Sequence, residues 1–144
     1  MSSSANQNTE RAATVTEPAD ESRRAAAELA RRIAAIVDDK KGEDIVALDV
    51  SELVGYTDYL VIATARNERQ AKAIHEEVHY RLKHDDERLP ARTEGEAEAR
   101  WVLVDYLDCV LHVMVPEMRD RYRLERLCGE AERLELGLEA SVES

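Results

Sequence analysis

The residues best spaced for chemistry are His75-Glu76-Glu77-Val78-His79, which spell H-E-x-x-H. Two histidines four apart share a helix face and can hold Zn²⁺ while the glutamate acts as general base in hydrolysis. The surrounding pattern works against that use. Ile74, Val78 and Leu82 form the apolar stripe of this helix, leaving His75 at its margin and His79 turned toward solvent. No H-x-x-G-x-x-H extension follows, and no spacing singles out a third ligand among the many acids. A charged, solvated helix face is the simpler reading, and a metal-dependent hydrolase is the alternative.

Other reactive residue types are scattered. His112 alternates with Leu111 and Val113 in a strand-like run, which suits a hydrogen-bonded structural histidine better than a ligand or base. Asp49, Asp58, Asp105 and Asp108 sit near strand ends, where α/β enzymes place ligands. Acids at strand ends are also ordinary turn residues. Cys109 has no local histidine or cation to activate it as a nucleophile. With Cys128 it shows neither disulfide nor zinc spacing, which predicts a reduced, cytoplasmic protein and no metal or other cofactor.

The elements that must position these residues follow from periodicity. ESRRAAAELARRIAAIVDDKKG carries Leu29, Ile33, Ile36 and Val37 at helical spacing, with Lys40, Lys41 and Gly42 as stop signals. Two near-continuous apolar runs, 44–50 and 58–65, read as strands covered on both faces. Asn67 caps a second helix that runs to about Lys83, with Gln70 as its capping-box partner. ARTEG suggests a short edge strand. Trp101 to Tyr106 and Cys109 to Val115 then form a hairpin around Leu107-Asp108, and Pro116 opens a final helix. The fold class is α/β, a mixed sheet with flanking helices. Residues 1–22 and 137–144 read as disordered tails around one domain, 23–136.

Composition limits the partners. The chain has 144 residues and a formal charge of −11, which disfavours binding to nucleic-acid phosphates and suits a basic protein surface. No secretory signal pattern or membrane-spanning run is present in the sequence.

On the first hairpin strand, Trp101, Leu103 and Asp105 point one way and Val102, Val104 and Tyr106 the other. Trp101 is then either core or an interface anchor. DIVALDVSELVGYTDYLVIATARNERQAKAI and RWVLVDYLDCVLHVMVPEMRDRYRLERL together resemble the ribosomal silencing factor, or Iojap-like, family over roughly Ala27 to Leu136. The resemblance implies a nucleotidyltransferase-like fold without the catalytic set, and no Gly-Ser pair followed by Asp-x-Asp occurs. It implies a non-enzymatic translational repressor. Such a factor docks on the large ribosomal subunit, at ribosomal protein fourteen on the intersubunit face, and blocks joining of the small subunit when nutrients are short.

Carried over by position, Trp101 is the expected interface tryptophan, with Val102, Asp105 and Tyr106 at or beside the contact. Met114, Arg119 and Tyr122 adjoin it. Two positions depart from the family pattern: Leu107 stands where glycine is usual, and Cys128 where tryptophan is. A divergent nucleotidyltransferase and a homodimeric scaffold are competing readings, the latter from exposed hairpin or edge surface.

Overall fold

The computed structural model describes residues 4–138, with side chains described from Asp20 onward. Of the tail expected at 137–144, residues 139–144 lie outside the described ones. Helix α1 spans Ser4–Asp39. It therefore begins inside the segment 1–22 expected to be unstructured, where Ala12, Ala13, Glu17 and Ala19 favour helix. From Ala26 onward its apolar stripe, Leu29, Ala30, Ile33, Ile36 and Val37, is buried. The helix ends in a paired turn: Gly42 N–H donates to the Val37 carbonyl and Lys41 N–H to that of Asp38. Lys41 takes the left-handed conformation, the geometry of a Schellman stop.

Strand β1 is Glu43–Asp49 and β2 is Tyr59–Thr64. Every β2 residue is buried, as a strand covered on both faces requires. Strand β1 departs from that expectation, being buried only at Ala47 and Leu48. Its outer neighbour is just the two-residue β6, Glu132–Arg133, so it lies close to the sheet edge. Helix α2 is Glu68–Asp85. Its cap forms as expected, Asn67 Oδ1 accepting from Gln70 N–H at 2.9 Å. The reciprocal bond differs, because Gln70 Oε1 accepts from Arg66 N–H at 2.6 Å. The same Gln70 amide donates to the Lys40 and Lys41 carbonyls, joining the end of α1 to the start of α2.

Strand β3 is Arg92–Glu94, β4 is Trp101–Asp105 and β5 is Cys109–Met114. The expected single final helix is two: α3, Pro116–Tyr122, and α4, Leu124–Leu127. Arg123 between them has φ +47°, which ends one helix and starts the next.

The six strands run in the order β3-β4-β5-β2-β1-β6. Only β2 and β5 are parallel; the other neighbours are antiparallel. The sheet separates two apolar layers. Helices α1 and α2 cover one face over Val61, Ala63, Val102, Val104, Leu111 and Val113. The opposite face carries Leu48, Leu60, Ile62, Val110 and Met114. The short α3 and α4 segment lies over it through Met118 and Leu124, with Val54 of the β1–β2 loop and Cys128 and Ala131 beyond α4, and this thin cover creates the site.

Candidate functional site

Strand alternation places Trp101 and Leu103 on the thinly covered face, and both are half-buried. The indole is fixed on its polar side, Trp101 Nε1–H donating to His112 Nδ1 at 2.9 Å. That bond needs a lone pair on Nδ1, so the imidazole must be neutral. Burial holds His112 in that state, lowering its pKa to about 4. His112 is thus the hydrogen-bonded structural residue that its strand position suggested. Tyr122 of α3 stacks obliquely on the indole, with centroids 4.9 Å apart, and is itself 46% exposed. On the neighbouring strand Met114 pairs in register with Trp101 and is fully buried.

Behind the strand, Gly95 packs against the Trp101 carbonyl so closely that any added Cβ would overlap it. Gly95 also has φ +81°, so the β3–β4 loop requires glycine there twice over. The tryptophan is thereby held from both sides of its strand, a pre-organised apolar ring with its N–H already satisfied.

Arg119 supports α3 rather than facing outward. Its Nε and a terminal amine both donate to Glu125 Oε2, at 3.1 and 2.7 Å, and the other amine donates to Thr64 Oγ1 at 2.9 Å. One guanidinium so ties α3 to α4 and to the end of β2. The Arg119 contact lowers the pKa of Glu125 against the desolvation that raises it.

The other sequence-derived positions divide. Val102 and Tyr106 point to the α1–α2 side and are core residues, so neither offers a partner any surface. Met114, the cross-strand neighbour of Trp101 on the same face, is also fully buried, so the same correction applies to it. Val102 and Tyr106 face the α1–α2 layer, whereas Met114 lies on the Trp101 face and is covered there by its own cluster. Asp105 is mostly engaged: its carboxylate accepts from Leu107 N–H at 2.8 Å and pairs with Arg92. Leu103, half-buried beside Trp101, joins the accessible face, and its shared strand parity with Trp101 signals this in the sequence.

In the H-E-x-x-H segment, His75 and His79 are both half-buried on α2, and Glu77 is held by Arg81 at 2.7 Å. Among the described residues no three His, Cys, Asp or Glu side chains converge as a metal group. Cys109 is buried, and burial pushes its thiol pKa up, away from nucleophilic use. No helix among the described residues is long and apolar enough to cross a membrane.

The family described as "Ribosomal silencing factor during starvation" matches residues 23–144. The chain belongs to the ribosomal silencing factor family. The ribosomal silencing factor RsfS of Chromobacterium violaceum is 40% identical over 93 residues, covering 65% of this chain and 75% of that protein. The RsfS of Bacillus subtilis is also 40% identical, over 98 residues, covering 68% and 82%. A protein named Iojap, chloroplastic, from Arabidopsis thaliana is 33% identical over 109 residues. A crystal structure of a protein from C. violaceum superposes with a TM-score of 0.68 at 37% identity, covering 71% of this chain and 84% of that one. The mixed sheet and its helices are thus the fold of this family.

Proposed function

We propose that this protein represses translation by binding, without catalysis, to the large ribosomal subunit. Ribosomal protein fourteen at the intersubunit face is the contact, and occupation of that face blocks joining of the small subunit. The effect is lower translation when nutrients are limiting, in the cytoplasm where the subunits assemble. The observation that carries this reading is Trp101. It is half-buried on the thinly covered face with part of its ring accessible, its N–H is satisfied within the fold, and Tyr122 lies against it. A rigid aromatic pair next to an apolar Leu103 is the composition of a binding hot spot.

Family membership supports the ribosome as target, since the relatives are named ribosomal silencing factors. The acidic charge of the chain suits a basic ribosomal protein. Contact falls to Trp101, Leu103 and Tyr122, with Asp105 shaping the adjoining turn and Arg119 holding α3 in place. The metal-hydrolase alternative gains no support, because His75 and His79 converge with no third ligand among the described residues.

The test is sedimentation of purified ribosomal subunits with the protein. It should pellet with large subunits and reduce the yield of joined ribosomes. Trp101→Ala should weaken binding by about 2 kcal/mol. Failure of the unchanged protein to pellet, or pelleting with full subunit joining, would overturn the reading.

A further inference from the structure

The hairpin turn holds a residue in a conformation that its side chain disfavours. Leu107 has φ +74°, and Asp108 N–H donates across it to the Tyr106 carbonyl at 2.9 Å. A two-residue hydrogen bond around a positive-φ centre is the pattern of the rare, strained γ-turn. Glycine would relieve the strain, and a bulky γ-branched side chain makes it worse. Nothing in the core compensates, because Leu107 is 61% exposed. The fold thus carries two costs at one position, backbone strain and an apolar side chain in water.

Three loops meet at this end of the sheet. Asp58 and Tyr59 N–H groups donate to the Asp108 carbonyl, which joins the β1–β2 loop to the turn. Arg88 donates to the Tyr106 carbonyl and to Asp108, which joins the α2–β3 loop to it. These loops expose Leu53 (47%), Tyr56 (65%) and Leu89 (61%) at the same end of the sheet as Leu107. Four of the seven large exposed hydrophobic side chains among the described residues are therefore gathered at one end. Glu52, Asp58 and Glu87 stand in the same loops and make no ion pair among the described residues.

We propose that this loop end is a second docking surface, centred on Leu107, for an apolar segment of a basic protein that carries lysine or arginine at its edges. Leu107 supplies the apolar contact, and the unpaired carboxylates supply the charge complement. The surface continues the Trp101 face, since Trp101, Leu103 and Asp105 lead along β4 into the turn. The inference rests on the ribosome-binding reading and adds a second patch to it. The occupant is a basic protein on the large subunit.

Leu107→Gly and Leu107→Asn, made in the full chain, test it, because both residues accept positive φ. Binding to purified large subunits should weaken about tenfold, the effect of losing one buried leucine side chain. The melting temperature should equal or exceed that of the unchanged protein. A purely structural leucine would not separate the two readouts in this way. Glu87→Lys should weaken binding as well.

Four outcomes would overturn the proposal. One is a Leu107→Gly protein that binds subunits as tightly as the unchanged chain while the latter still pellets, which spares the wider reading. Another is tighter binding by Glu87→Lys, which would mean RNA phosphate at this surface. A third is loss of self-association in Leu107→Gly with subunit binding intact, which would make the patch a contact between copies. Absence of any binding by the unchanged protein removes this inference together with the ribosome reading, and so is distinguishable from the first.

Discussion

Trp101 and His112 form a unit in which the interface candidate depends on a protonation state. His112 is neutral in the fold, with its pKa lowered by burial to about 4 against an ordinary value near 6.5. Between these values the unfolded chain binds the proton and the native one does not. Stability therefore rises with pH through this window and is lost as pH falls from about 6.5 toward 4, by on the order of 3 kcal/mol in all. His75, whose pKa is also lowered by burial, contributes in the same direction. Urea unfolding at neutral pH and near pH 5 should show this loss, with the indole fluorescence changing as its acceptor protonates. His112→Gln keeps an acceptor for the indole and should flatten most of the slope. An unchanged slope in that variant would assign the pH dependence to other groups.

The elements around the site are held by few bonds, and α3 with α4 shows this best. Neither helix has a buried residue, and their attachment to the sheet runs largely through Arg119, Glu125 and Thr64. Arg119→Met keeps the stem's packing but removes these bonds, leaving the half-buried Glu125 unpaired. It should cost about 1–3 kcal/mol in stability and loosen Tyr122 over Trp101. Subunit binding should then fall although no contacting residue was changed, and an unaltered affinity would separate α3 from the interface. This attachment was not legible in the sequence, because the break at Arg123 places a non-glycine residue at positive φ, which no turn signal announces.

Other elements were legible for local reasons. The Asn67 cap and the alternation on β4 depend on neighbours within a few residues, so they could be read directly. Strand β6 could not, since two polar residues become a strand only by pairing with Leu48 and Asp49 far away in the chain. The site divides in the same way. Parity grouped Trp101 with Asp105, yet which of the two faces lies open depends on where α1 and α2 pack. Tyr106 is core because it faces the α1–α2 layer, and Met114 because the cluster on the Trp101 face encloses it.

At the scale of the whole molecule, charge and shape act on different steps of binding. The chain carries a net charge of −11, spread over a surface whose apolar patches lie on one sheet face and one loop end. Long-range attraction to a basic partner speeds the encounter, whereas release is governed by the aromatic and apolar contacts. Raising ionic strength shortens the screening length to about 8 Å at physiological salt, well under the dimensions of such a surface. The association rate with the isolated basic ribosomal protein should therefore fall steeply as salt increases, while the dissociation rate changes little. Trp101→Ala should do the reverse, raising dissociation and leaving the salt slope of association in place. Both rates can be read from one biosensor series with the two proteins over a range of salt. An association rate indifferent to salt would mean that the acidic charge serves solubility alone, and that recognition rests on the apolar surface.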